Sequence, residues 1–297
     1  MITDYALELD QLNFTIGRGK KAFSLHDISF SVPRGCVTGL IGENGAGKTT
    51  LMRLILTMYV AKGGGIRLFG TEAGRANSAA RDKIGFVIDQ RYLPVFHTAK
   101  TAGAFLANIY SNWNQDLYEH YLAEFKIPVS KRLFRLSSGT AQKVQIAAAL
   151  SHGAELLILD EPFNFLDPVA KKRFLELLQE FMKDPCHAVL VSSHQTAELE
   201  KICDAVTFLH EGRVIFAKDM ETITSQYGVL KIDESRFRGL SKKDYIGWRK
   251  TPYAYEVLTA CKTAPQFADM VCEQASLENL MYFYLEQGVH DKIGGEK

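Results

Sequence analysis

Four short, nearly unbroken apolar runs punctuate the chain, at residues 36–41, 84–88, 156–159 and 188–191. Continuous rather than alternating hydrophobicity predicts strands buried on both faces, as in a parallel sheet. Between the runs, residues 50–59, 141–150 and 169–182 carry apolar positions at helical spacing, so strands are expected to alternate with crossover helices. Residues 6–12 and 23–32 alternate more cleanly, which predicts an antiparallel sheet beside the parallel one. Gly63, Gly64 and Gly65 precede the run 66–69 and read as a turn entering a short strand, because no helix follows. Strands at 206–209 and 213–216, separated by His210, Glu211 and Gly212, predict a hairpin.

From about Glu221 the texture changes to scattered charges, tyrosines and short strand-like pieces such as 228–232. A last helix is expected after Ser276, a favourable cap, with Leu277, Leu280, Met281, Tyr284 and Leu285 along one face. The reading is an α/β domain over residues 1–220 followed by a small α+β accessory domain over 221–297. A length of 297 residues exceeds what one hydrophobic core usually serves, in line with two domains.

With 46% hydrophobic and 23% charged residues, the composition is that of a globular protein. A net charge of +1 gives no sequence-wide reason to bind nucleic acid or anionic lipid, so no nucleic-acid partner is expected. Cys36, Cys186, Cys203, Cys261 and Cys272 form no short-spaced pair of the kind that ligates zinc or runs redox exchange. The first residues lack the basic and long apolar blocks of a secretion signal, and no apolar run approaches a membrane span. A cytoplasmic location is expected, with any membrane supplied by a partner.

Gly42, Glu43, Asn44, Gly45, Ala46, Gly47, Lys48 and Thr49 match the P-loop pattern in full, and Thr50 continues into the helix. Glycines let the backbone turn its N–H groups toward one point, and the helix start adds a positive field, so a polyphosphate can be held without a large basic patch. Lys48 then offers a full charge to the β and γ phosphates of ATP, and Thr49 a hydroxyl to Mg²⁺. The run 156–159 delivers Asp160 and Glu161 to the carboxyl end of a buried strand, where α/β sheets place their ligands. Period-two alternation predicts different jobs for the two acids: Asp160 for the Mg²⁺ shell, directly or through water, and Glu161 for the attacking water. Lys48 and Asp160 are too far apart for a minimal strand, helix, strand unit, which implies a sizeable insertion.

That insertion ends in Leu136, Ser137, Ser138 and Gly139, where the chain resembles the ATP-binding subunits of ABC transporters, whose LSGGQ-like loop opens a helix. The resemblance spans roughly residues 6–220. It implies a P-loop ATPase domain with a parallel sheet core, an antiparallel β subdomain and a helical subdomain at about residues 90–150. It further implies that Ser137, Ser138 and Gly139 meet the γ-phosphate of an ATP held by a partner subunit, that Asp167 matches the D-loop, and that His194 is the switch histidine. Asp89 and Gln90 occupy the region of the Q-loop, and the residues do not decide between them. Thr140 replaces the usual signature glutamine, and Phe163, Asn164 and Phe165 replace the common small residues before Leu166. The position of the aromatic that stacks on adenine falls on Ile16, with Phe14 and Phe23 as nearby candidates.

The phrases FSLHDISFSVPRG, LLILDEP and SSHQTAELEKICDAVTFLHEGRVIF look most like bacterial exporter subunits of the bacitracin-resistance and acetoin-utilisation kind. The resemblance therefore implies an ATPase that dimerises on ATP, with itself or a homologous subunit. It would drive a separate membrane permease, with the segment holding Tyr92, Leu93 and Phe96 as the candidate contact. A soluble ABC ATPase and a regulatory subunit without turnover are the alternatives. A single P-loop and the lack of a heptad coiled coil argue against the first, and retained Glu161 and His194 against the second.

Overall fold

The computed structural model describes residues 4–19, 22–74, 77–89 and 92–294. Contacts divide the chain into two units, residues 1–194 with 209–214, and residues 195–208 with 215–297.

In the first unit, strands β1 (Tyr5–Ile16) and β2 (Phe23–Pro33) pair antiparallel. Strand β3 (Val37–Ile41) and helix α1 (Lys48–Ile55) follow. Then come β4 (Gly63–Leu68), β5 (Thr71–Glu72), α2 (Ser78–Asp82) and β6 (Ile84–Val87). A helical segment holds α3 (Ala99–Leu106), α4 (Gln115–Glu124) and α5 (Ser138–Ala149), and the unit continues with β7 (Leu156–Asp160), α6 (Pro168–Phe181) and β8 (Ala188–Ser193). Strands β3, β8, β7 and β6 lie side by side in parallel, and every residue of β3, β7 and β8 is buried. That double burial is why their sequences read as unbroken apolar runs.

Strands β2, β1, β4 and β5 form a separate antiparallel sheet. Leu7, Leu12, Leu25 and Ile28 from this sheet pack in one core with Leu51, Met52 and Ile55 of α1. Gly63, Gly64 and Gly65 lie inside β4 rather than in a turn before it, which corrects the sequence reading. The cause is a bulge in β1 at Gln11, whose carbonyl oxygen would stand 2.2 Å from a Cβ on Gly64, so only glycine lets the strands stay paired there. Helix α1 begins at Lys48, earlier than expected, and ends at Ile55, before Thr57 takes a left-handed backbone at φ 56. Leu93 belongs to the core at 7% exposure, whereas Phe96 is 74% exposed and stands edge-on to Phe134.

Helix α7 (Thr196–Leu199) opens the second unit, and β9 (Ala205–His210) and β10 (Arg213–Asp219), whose joining residues 209–214 belong to the first unit, form the expected hairpin. Its two-residue turn has both Glu211 (φ 43) and Gly212 (φ 72) in the left-handed region that such hairpins require. Helix α8 (Met220–Gln226), β11 (Gly228–Ile232), α9 (Glu234–Gly239), β12 (Gly247–Lys250), β13 (Tyr255–Thr259), β14 (Val271–Gln274) and α10 (Leu277–Gly294) complete the chain. Strands β12, β13, β11 and β14 make an antiparallel sheet whose core joins Leu230, Ile232, Val257 and Phe267. The Ser276 hydroxyl accepts from the Asn279 N–H, and the buried face of α10 is Leu277, Leu280 and Phe283. Phe283 was absent from the predicted stripe, while Tyr284 packs beside Phe216 at 5.1 Å.

His152, after α5, is 1% exposed and stacks on Tyr110 with ring centroids 3.8 Å apart. Burial pushes its pKa down from 6.5 to about 4, with Asp82 opposing weakly. A folded value below the unfolded one means that the unfolded chain binds the proton first, so stability falls as pH drops from 6.5 toward 4. This group alone should remove about 2 kcal/mol of stability between pH 7 and pH 5. Replacing it in His152→Phe, which keeps the stack, is expected to flatten the acid side of the stability curve by that amount in denaturant titrations at the two pH values.

Candidate functional site

The buried strand β3 ends at Ile41, and the chain turns through Gly42 to Gly47 into α1. Helix α1 starts on Gly47 in a left-handed conformation, with no side-chain cap and no acidic residue in its first turn. Its leading amides therefore keep their hydrogen-bonding capacity and its positive end for an anion. Lys48 is 6% exposed and donates from Nζ to the carbonyl oxygens of Gly42 at 2.6 Å and Glu43 at 3.2 Å. Burial pushes its ammonium below the ordinary lysine value, and the carboxylates of Glu161 and Asp160 pull it back up.

Asp160 closes β7 opposite Ser192 of β8. The Ser192 hydroxyl donates to Asp160 Oδ1 at 2.7 Å and accepts from the Glu161 N–H at 2.9 Å. Asp160 is 2% exposed, and its Oδ2 has no hydrogen-bond partner among the described residues. Glu161 leaves the strand with φ 48, which aims its carboxylate between two nitrogens: Oε1 lies 3.7 Å from Lys48 Nζ and Oε2 lies 2.8 Å from His194 Nδ1. The two acids thus part company through a left-handed backbone rather than through strand alternation. A carboxylate held by an imidazole at the rim of a cleft has the geometry to take a proton from water.

Lys48, Glu161 and His194 line one cleft of about 560 Å³, together with Glu43, Asn44, Gly45, Gly47, Thr49, Thr50, Asp89 and Asn164. Ala46 is buried, and its carbonyl accepts from the Gly212 N–H at 3.0 Å. Ile16 and Phe23, cross-strand partners in β1 and β2, form the apolar side of the cleft. Phe14 is not there: it is 8% exposed and stacks on Tyr59 at 5.4 Å. Asp89 lines this cleft and also a smaller cavity of about 170 Å³ with Ser138, Asp160, Glu161 and Phe165. Gln90 lies outside the described residues.

Ser137 and Gly139 do not line the Lys48 cleft. Ser137 caps α5, with Oγ accepting from the Thr140 N–H at 3.2 Å and standing 2.8 Å from Thr140 Oγ1, so the residue in the usual glutamine's place bonds to the loop itself. Asp167 likewise caps α6 through the Ala170 N–H at 2.9 Å and pairs with Lys143 Nζ at 2.7 Å. The hydrogen bond from Lys143 pushes the Asp167 carboxyl down to about 2. One chain therefore gathers P-loop residues, Asp89, Glu161 and His194 in that cleft, places Asp160 and Ser138 in the smaller cavity that shares Asp89 and Glu161 with it, and leaves Ser137, Gly139 and Asp167 outside the cleft.

Sequence reasoning missed Ser192, Asn164, Gln142 and Gln145. Gln145 Oε1 accepts from the Ile88 N–H at 3.1 Å and so fixes the backbone leading to Asp89. The only available signal was position: Ser192 sits two residues before His194, and both glutamines follow the LSSG loop by less than two turns.

Residues 25–164 match the sequence family described as ABC transporter. Over 220 residues the chain is 32% identical to the bacitracin transport ATP-binding protein BcrA of Enterococcus faecalis, covering 72% of this chain and 70% of that one. The chain belongs to the ABC transporter ATP-binding family. This ABC protein also superposes on a solved ATP-binding subunit of an ABC transporter with a TM-score of 0.65, at 30% identity, over 73% of its own length and 91% of the other's. A dimeric ATP-binding cassette bound to ADP and Pi shares the fold, with a TM-score of 0.65 at 20% identity over 72% and 98% of the two chains. The protein is thus the ATP-binding subunit of an ABC transporter and an ATPase with the ABC ATPase fold. No helix among the described residues is long and apolar enough to cross a membrane.

Proposed function

We propose that this chain powers export by closing on ATP with a second ATPase subunit, a copy of itself or a homologue, and passing the motion to a separate permease. The observation that carries this reading is the Lys48, Glu161, His194 row at 3.7 and 2.8 Å along the P-loop cleft. The amides of residues 42–50 and the Lys48 ammonium would hold the phosphates, with the base resting between Ile16 and Phe23. Glu161 would orient and deprotonate the attacking water, and His194 would keep the carboxylate in place and reach the γ-phosphate.

The residues present also fit Mg²⁺, because Asp160 Oδ2 is buried and unpartnered among the described residues and the Thr49 hydroxyl lines the cleft. When bound, the ion would neutralise charge on the β and γ phosphates, with Thr49 and Asp160 holding it directly or through water. Asp89, or Gln90 beside it, would sense the filled site.

Ser137 and Gly139 do not line the Lys48 cleft, and Ser138 lines the smaller cavity that shares Asp89 and Glu161 with it, which suits contact with ATP held by the second subunit, with Asp167 nearby. Closure would then depend on nucleotide occupancy, since neither half-site is complete alone. An apolar groove of about 490 Å³ bordered by Tyr92, Leu93, Phe105 and Ile109 is the face offered to the permease. On this reading residues 1–220 form the nucleotide-binding domain and 221–297 an accessory domain, and the chain sits on the cytoplasmic face of the membrane through its permease. The relatives named for bacitracin transport support the exporter assignment.

Glu161→Gln is expected to keep ATP affinity, lower turnover about 100-fold or more, and accumulate a nucleotide-bound dimer in size-exclusion chromatography with ATP. Normal phosphate release by that variant would refute the role given to Glu161. Lys48→Ala should weaken ATP binding about 10- to 100-fold in calorimetry, the equivalent of one charge-assisted hydrogen bond. Undiminished affinity would remove the phosphate role of the loop.

A further inference from the structure

Glu161 at φ 48 and Phe165 at φ 62 are non-glycine residues in the left-handed region, four positions apart on one loop. Such backbone persists only where its surroundings over-determine it. Around Glu161 the restraint comes from several sides. Its N–H donates to Ser192 Oγ at 2.9 Å, and its carbonyl accepts from the Asn164 N–H at 3.1 Å and from Gln142 Nε2 at 3.2 Å. Gln142 Nε2 also donates to the Pro162 carbonyl at 2.7 Å. At 8% exposure, a carboxamide in that place would have few other partners, so these two carbonyls account for the amide being there.

Gln142 belongs to α5, the helix that opens with Ser137 to Gly139. The same helix start meets the 161–167 loop twice more. A Cβ on Gly139 would stand 2.3 Å from the Phe165 carbonyl oxygen, so the helix backbone lies directly on the loop. Lys143 Nζ reaches Asp167 Oδ2 at 2.7 Å. Contacts from residues 139, 142 and 143 therefore span the loop from Glu161 to Asp167.

We infer that Gln142 is a positioning residue for Glu161, and that it joins the Ser137 to Gly139 end of α5 to the backbone that aims the carboxylate. The inference rests on the role proposed above for Glu161. Gln142 touches no reacting atom and acts by fixing two carbonyls. Any displacement of the helix start by an anion is then carried to Glu161 of the same chain, so an event at one nucleotide site is felt at the carboxylate of the other.

Gln142→Met tests this, because it keeps length and volume while removing both N–H donors. In the full-length chain it is expected to lower kcat about 10- to 100-fold, the scale of a small misplacement of a catalytic group, with ATP affinity and KM unchanged within about twofold. Gln142→Glu, whose carboxylate repels the same carbonyls, should lose at least as much. The deciding arm repeats both substitutions in a Glu161→Gln background, with residual hydrolysis read by single turnover. A residue acting through Glu161 costs nothing further there, whereas a merely structural one costs the same in both backgrounds. Unchanged kcat, a parallel loss of ATP affinity, or equal losses in both backgrounds would overturn the inference. A wild-type chain that takes up no ATP would instead sink the function proposed above, and calorimetry on it separates the two failures.

Discussion

One register of parallel hydrogen bonding governs the site. Ile41 pairs with Ser193, Asp160 with Ser192 and Val87 with Leu159, so β3, β8, β7 and β6 end on nearly one line. The next residues off those ends are Gly42, His194, Glu161 and, one beyond Ile88, Asp89. The chemistry meets because the strands stop together. A slip of one residue in any of the pairings would turn its side chains to the opposite face and take one of these groups out of the cleft. Such a slip is opposed by the complete burial of β3, β7 and β8, where every apolar side chain already has its place.

That arrangement brings charge into a place that disfavours it. Lys48 is nearly buried, and its ammonium is retained by two carbonyls of its own loop and by the field of Glu161 and Asp160. An ion pair at 3.7 Å across a cleft wall is not a device for stability, since desolvation offsets most of the attraction. On the function proposed above it is a charge kept ready: phosphate oxygens would replace the loop carbonyls around Nζ, and the Glu161 carboxylate would be left with His194. On the same reading, the unpartnered Oδ2 of Asp160 would have the same logic, a buried acceptor whose partner would arrive with the substrate.

Much of this was legible in the residues. Continuous apolar runs located β3, β6, β7 and β8 to within about a residue at most ends, because burial on both faces leaves a simple signature. Gly42 to Thr49 could be read as a turn from a buried strand into a helix, and Gly42, Gly45 and Gly47 there all take positive φ. What escaped notice depends on contacts between distant segments. Ser192 matters only through its register with Asp160, and Gln142 only because α5 lies across the loop after β7. Gly64 looked like a turn because the bulge at Gln11 that demands it lies about fifty positions upstream. Phe283 joins Leu277 and Leu280 at a three-residue step, a face that the wider helical stripe had assigned to Met281 and Leu285.

The loop from Glu161 to Asp167 shows where stability is given up. Two left-handed non-glycine residues there cost on the order of 1–3 kcal/mol each, and Phe165 keeps 65% of its surface in solvent, so it returns little by burial. Glycine would relieve the strain, and the fold does not need Phe165 for its core. Strain that survives in a loop fastened by Ser192, Gln142 and Lys143 is strain held at a fixed geometry. Its effect is to keep the Glu161 carboxylate on His194, whereas a regular continuation of the strand would turn it to the face opposite Asp160.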